Sequence, residues 1–91
     1  LPDVFVLKQN YPNPFNPTTR IQFNLANEGP VMILIYDIKG IQVDELVNGF
    51  MEAGYHELQW DGSVHASGMY FIHMIGDNGH YIKTQKMMLV K

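Results

Sequence analysis

Residues 9–25 read QNYPNPFNPTTRIQFNL, a proline-rich segment that runs directly into an alternating one. Each proline fixes its own φ at about −65° and biases the preceding residue towards extended backbone. Residues 9–19 are therefore not helical, and they are stiffer than an ordinary flexible linker. Behind them, Ile21, Phe23 and Leu25 alternate with polar residues, which is the pattern of a strand with one buried face. The stretch predicts a rigid entry into a small β-domain.

The bulk composition is that of an ordinary globular module. The chain has 91 residues, of which 46% are hydrophobic and 16% charged, and its net charge is −3. This length supports a single domain with one modest core, which we expect to span residues 1–91. The chain is too apolar for disorder, and no apolar run reaches the ~18 residues of a membrane span. The acidic balance argues against a nucleic-acid partner.

Segments of strand character, separated by turn residues, predict about seven short strands and no substantial helix. The predicted strands are residues 4–7, 18–25, 31–36, 41–47, 55–60, 68–75 and 80–91. Turns are predicted at residues 26–30, 37–40, 61–67 and 77–79, with a loop at 48–54. The almost continuously apolar segment 31–36 predicts a central strand buried on both faces. The pattern favours an all-β, immunoglobulin-like antiparallel β-sandwich, and a barrel of about five or six strands is the alternative.

No group of residues has the spacing of a catalytic, cofactor or metal site. The chain has no cysteine, and its histidines are far apart in sequence, at His56, His65, His73 and His80. The carboxylates are spread singly except for the adjacent Asp44 and Glu45, which point to opposite faces of a strand. The glycines mark turns, and neither a phosphate loop nor a nucleophile elbow is present. We therefore expect no enzyme, no cofactor, no metal and no small-molecule substrate.

Three aromatic residues have two interpretations each. Trp60, followed by Asp61 and Gly62, is either a platform for carbohydrate or a core residue that ends a strand. Its parity with Leu58, two positions earlier, places both side chains on the same face of the strand, which favours the core. Tyr11 and Phe15 are the possible surface aromatics, because a rigid loop presents side chains at a low cost in entropy. Structural roles are the alternative, and for Phe15 that role is a plug at one end of the sandwich.

The end of the chain is basic. No acidic residue follows Asp77, whereas Lys83, Lys86 and Lys91 are all basic. Lysines on an edge strand usually discourage edge-to-edge association. The alternative is that they form a recognition tag.

Taken together, these elements resemble the C-terminal sorting domain of the type IX (Por) secretion system of certain Gram-negative bacteria. The matching segments follow in order: NYPNPFNPTT (10–19), IQFNL (21–25), VMILIYDIKG (31–40), GYH (54–56), WDG (60–62), SGMYF (67–71) and KMMLVK (86–91). Met69 is a departure, since the family often has valine there. The immunoglobulin-like domain of the flagellar hook-capping protein shares much of the pattern, but the segment KMMLVK is more similar to the sorting family.

The resemblance implies a non-catalytic module at the C-terminus of a larger exported protein. It implies passage of the cargo through the periplasm and across the outer membrane to the cell surface or medium. The implied partners are an outer-membrane translocon, a sortase-like processing protease that cleaves in or just before residues 1–9, and a covalently attached N-terminal cargo domain. Residues 1–3 do not read as a signal peptide, so an exported protein would carry one on a longer precursor.

The resemblance also places the sorting signal in the final strand. The residues expected to be recognised by the translocon are Lys83, Lys86, Met88, Leu89, Val90 and Lys91. The alternative function is a structural, carbohydrate-binding or adhesive accessory domain, or a hook-cap-like assembly domain.

Overall fold

Two antiparallel sheets pack face to face in the computed structural model, which describes residues 1–91. The strands are β1 (Val6–Leu7), β2 (Thr18–Leu25), β3 (Gly29–Asp37), β4 (Gln42–Met51), β5 (Gly54–Asp61), β6 (Gly68–Gly76) and β7 (Tyr81–Leu89). One sheet has the order β1-β2-β5 and the other the order β4-β3-β6-β7. The prediction of a seven-stranded all-β sandwich is confirmed. The barrel alternative is wrong, because the strands form two separate sheets.

The core lies between the inner faces of the two sheets. Ile21, Phe23 and Leu25 of β2 are each 0% exposed, as their alternation with polar residues predicts. They belong to one apolar cluster with buried residues of the facing sheet, chiefly Val31, Ile33, Ile35, Tyr70, Ile72, Met74, Met87 and Leu89. Every buried side-chain nitrogen and oxygen atom has a hydrogen-bond partner, so burial leaves no polar group unpaired.

Strand β3 is central in its sheet, with β4 on one side and β6 on the other. Its inner residues are buried, but on its outer face only Leu34 is, at 4% exposed. The neighbouring Met32 and Tyr36 are half-exposed. The prediction of burial on both faces is therefore wrong for most of the strand, because no layer covers the outside of this sheet.

Several strand boundaries also differ from the predictions. Residues 48–51 were expected in a loop, but they continue β4 and pair with residues 29–32. The pairing extends because β3 itself begins at Gly29, inside the predicted turn. Strand β1 is shorter than predicted, since only Val6 and Leu7 have partners on β2.

The two hairpin turns of the four-stranded sheet form where the sequence predicts them. Gly40 has a φ of +81°, and the Asp37 carboxylate accepts hydrogen bonds from the backbone N–H groups of Lys39 (2.9 Å) and Ile41 (3.0 Å). Between β6 and β7, Asp77–Gly79 forms a single 3-10 turn. Asn78 has a φ of 54° there, a left-handed conformation that asparagine tolerates better than most residues.

The proline-rich lead-in crosses from one sheet to the other. In this segment, residues 8–17, which we call the strap, Tyr11 and Arg20 each donate a backbone hydrogen bond to the other, at 3.0 and 2.8 Å. Further on, Phe15 donates to the Met88 carbonyl and accepts from the Val90 N–H, both at 2.9 Å. The peptide bonds before the strap's three prolines are cis. The strap thus joins the edge of β2 to the edge of β7.

Candidate recognition site on the closing strand

Strand β7 pairs with β6 along its whole length in an unbroken register. Because successive side chains of a strand point to opposite faces, its residues divide into two sets. Met87 and Leu89 point into the core, being 1% and 0% exposed. The outer set, on the side of the sheet away from the core, consists of Ile82, Thr84, Lys86 and Met88.

The residues of the predicted sorting signal are therefore divided between the two faces of β7. Lys83 is exposed but lies on the core-bearing face of the sheet, opposite Met74 of β6. Lys86 and Met88 lie on the outer face. Leu89 is buried, so no partner can contact its side chain while the domain is folded, and Val90, 48% exposed, lies beyond the end of β7. The six predicted residues therefore do not form one continuous surface.

Lys91 binds within the domain. Its ammonium group donates to the carbonyl oxygens of Ser63 at 2.8 Å and His65 at 2.7 Å, and its backbone N–H donates to the Ser67 hydroxyl at 3.0 Å. These bonds tie the end of the sequence to the loop that follows β5. The donors of Lys91 are therefore already engaged, unlike those of Lys83 and Lys86.

Lys86 and Met88 form a surface with two residues of β6. Met69 pairs directly with Met88, and Phe71 pairs directly with Lys86. All of these side chains except that of Lys86 are partly buried. A shallow depression of about 180 Å³ lies here, lined by Asn13, Met69, Lys86, Met87 and Met88. We call the four side chains of Met69, Phe71, Lys86 and Met88 the outer patch.

The two suspected surface aromatics have opposite environments. Tyr11 is 69% exposed, and the Arg20 guanidinium carbon lies 5.9 Å from the centre of its ring. Phe15 is 2% exposed, and its ring centre lies 5.8 Å from that of Trp60. The expectation of a surface role for Phe15 is therefore wrong, and the alternative of a plug in the core is confirmed.

Trp60 is a core residue. It is 2% exposed, its indole N–H donates to the Asp44 carboxylate at 2.8 Å, and His65 and Tyr70 pack on its ring at 5.4 and 5.6 Å. A carbohydrate platform requires an exposed ring face, and this ring has none. Its parity with Leu58, which packs partly buried against the same core, is the sequence signal that predicts this correctly.

The titratable groups form no cluster of the metal-binding type. No three His, Cys, Asp or Glu residues lie together in a way that could hold a metal ion. The pKa of Asp61 is held below its ordinary value of 3.8, because the backbone and side chain of Ser63 hydrogen-bond to the carboxylate. The Asp61 carboxylate therefore stays ionised and orders a turn, and Ser63 is the only hydrogen-bond partner of that carboxylate.

The outer patch was only half identified from the sequence. Lys86 and Met88 were expected to matter, but Met69 and Phe71 were not, because their place beside β7 depends on strand pairing. Because residues two apart in a strand point to the same side, the strand predicted over 68–75 places Met69 and Phe71 on one face of β6. Which face is solvated is settled by packing.

Comparison with known protein families identifies a family for the chain. No helix in it has the length and apolar character needed to cross a bilayer. No curated protein matches the sequence significantly. A family model described as the secretion system C-terminal sorting domain matches residues 9–90, which includes the strap and all of β7.

Proposed function

The chain belongs to the family of secretion system C-terminal sorting domains, and we propose that its closing strand β7 carries the signal that the type IX machinery recognises. The domain is a sorting signal of type IX secretion, and it directs export across the envelope to the cell surface or the medium. Membership in the family also implies attachment to a cargo protein and processing by the secretion machinery. A sorting family suggests a non-enzymatic role.

One observation carries the assignment of the signal to β7. The outer patch combines an exposed lysine with apolar side chains that the fold leaves partly uncovered. Isolated exposed apolar residues are normal, whereas a contiguous apolar group on the surface is a candidate interaction site. Lys86 makes no side-chain hydrogen bond inside the domain, so its ammonium group is available to a partner.

The finer parts of the proposal concern the partners. In it, residues 1–91 fold as one non-catalytic unit, the cargo domain precedes Leu1, an outer-membrane translocon binds the closing strand, and a sortase-like protease cleaves near the start of the chain. Leu1 and Val4 are 88% and 60% exposed. Pro2 is buried, so the exposure supports access of a protease to Leu1, Asp3 and Val4, since cleavage requires accessible backbone.

Deleting residues 86–91 is a poor test of the signal, because the deletion removes Met87 and Leu89 from the core. Loss of export would then report unfolding. A sharper test replaces exposed side chains only, with Lys83→Gln, Lys86→Gln and Val90→Ser combined in one chain fused to an exported reporter. We expect the exported fraction to fall in a host with type IX machinery.

A matched control carries comparable chemical changes elsewhere, as Arg20→Gln, Lys39→Gln and Ile38→Ser, all at exposed positions. We expect the control to be exported like the unmodified chain. Circular dichroism of both variants checks that the fold is retained. Normal export of a folded closing-strand variant would refute the proposal.

A further inference from the structure

The strap occupies the backbone edge of β7 over the end of the strand. The Met88 N–H donates to the Asn13 side chain and the Met88 carbonyl accepts from the Phe15 N–H, both at 2.9 Å. The Gln9 side chain donates to the Lys86 carbonyl at 3.0 Å. A partner strand could pair with this edge only after these bonds break.

Opening that edge would also disturb the core. The Phe15 ring lies against Trp60 with 2% of its area exposed, so the strap cannot leave β7 without withdrawing a buried aromatic side chain. Residues of an antiparallel edge strand alternate between inward and outward hydrogen bonding, so the outward-pointing backbone groups without a partner are those of Ile82 and Thr84 and the N–H of Lys86. They make a short template for strand addition.

The outer face of the four-stranded sheet, in contrast, is open. Beyond the outer patch, Tyr36 pairs with Phe71, and Met32 pairs with Ile75. The corresponding face of the three-stranded sheet is mostly polar and carries Arg20, Gln22, Asn24, Tyr55, Glu57 and Gln59. Of the two outer sheet faces, the one that bears Lys86 and Met88 therefore carries more of the partly exposed apolar side chains.

The chemistry of the outer patch indicates what kind of surface would bind it. Methionine side chains are flexible and polarisable, so they adapt to an apolar partner surface. A lysine stem packs along apolar surface while its ammonium group stays in a polar environment, so Lys86 offers both an apolar stem and a charge. A carboxylate surrounded by aliphatic or aromatic side chains would complement both the apolar surface and the charge. Its pairing with Lys86 would fix the position of the partner surface on the outer patch.

We infer, on the basis of the proposed function, that the secretion machinery recognises this chain by binding the outer patch. The binding surface is a protein surface that presents a carboxylate among apolar side chains. The backbone edge of β7 stays closed by the strap during this recognition. Side chains on a folded sheet are thus recognised, and no strand is added.

The test compares single substitutions in the full chain fused to an exported reporter. Lys86→Glu reverses the charge in the outer patch, and we expect it to lower the exported fraction at least about tenfold. Met88→Gln removes apolar contact and Lys86→Met removes only the charge, so both should give smaller losses. Thermal unfolding of each purified chain verifies that the fold is retained.

Two variants serve as matched controls. Lys83→Glu makes the same charge reversal on the same strand but on its other face, and we expect less than about a twofold effect, as for an exposed site outside the contact. Ile82→Pro blocks the uncovered edge while leaving the ladder to β6 intact, because its N–H points outward. It should also be exported normally.

Other outcomes overturn the inference. Equal losses for Lys83→Glu and Lys86→Glu would mean that only overall charge matters, and loss with Ile82→Pro but not with Lys86→Glu would indicate strand addition. A dimer in sedimentation that Met88→Gln disrupts, together with normal export of that variant, would make the patch a contact between copies of the chain.

The proposed function fails separately from this inference. It fails if the combined Lys83, Lys86 and Val90 variant is exported normally. If that variant is not exported but the Lys86→Glu and Met88→Gln variants are, the closing strand carries the signal and only the inference about the outer patch is refuted.

Discussion

Truncation of Phe15 tests whether one side chain holds the strap against the sandwich. The ring is 2% exposed and packs on Trp60, with ring centres 5.8 Å apart. The backbone of the same residue bridges to Met88 and Val90. Phe15→Ala therefore removes a core aromatic at the point where the strap meets β7.

The magnitude follows from burial. Replacing a fully buried phenylalanine by alanine costs about 3–5 kcal/mol, which includes the loss of apolar transfer energy and the cavity that remains. Domains are typically stable by about 5–15 kcal/mol, so the loss is a large fraction of the total. For a chain of this size, each kcal/mol lowers the Tm by about 4–8 °C, and a decrease of at least about 12 °C is expected.

Tyr11→Ala is the matched control, since Tyr11 is an aromatic residue of the same strap but is 69% exposed. Its loss removes a contact with Arg20 that contributes about 0.5–1 kcal/mol at an exposed site. Urea unfolding of both variants, followed by tryptophan fluorescence, measures the two free energies of unfolding. An equal, small loss in both would refute the reasoning, because the stiffness of the prolines would then position the strap without the anchor.

Two further predictions concern the turn after β5. Gly62→Ala should destabilise the domain by about 1–3 kcal/mol in urea unfolding, because an added Cβ would lie 3.0 Å from a methyl group of Leu89. Gly49→Ala, where nothing lies within 4 Å, should leave the free energy of unfolding unchanged or raise it slightly, and equal losses in the two would contradict this account. In NMR titration, the Asp61 carboxyl should have its midpoint below 3.8, so its contribution to stability is complete above that pH and is lost as the pH falls below it. Ser63→Ala should move the midpoint upward, and a midpoint at or above 3.8 in the unmodified chain would show that these hydrogen bonds do not favour the charged form.

Local patterns predict most of the strands and their inner faces. Alternation identifies the buried face of β2, and parity with Leu58 identifies Trp60 as a core residue. Both inferences succeed because side-chain direction in a strand depends only on the residue's own backbone. The turn at Gly40 is local in the same sense, since a positive φ favours glycine regardless of what lies elsewhere in the chain.

Pairing between residues far apart in sequence determines the extent of β4 and the covering of β7. The extension of β4 through residues 48–51 depends on β3, and local turn residues there indicate a loop. The covering of β7 by the strap depends on contacts between positions such as Asn13 and Met88, 75 residues apart. No periodicity within either segment reports that contact.

The closing strand shows most directly what the sequence determines and what the tertiary structure determines. Its basic and apolar residues, and its resemblance to a sorting signal, are visible in the sequence alone. Which of them face a partner depends on the sandwich, which buries Leu89, engages Lys91, and leaves Lys86 exposed and Met88 partly exposed on one face. The reason is physical: a strand's own residues determine that its faces differ, but the elements packed around it determine which face and which edge meet solvent.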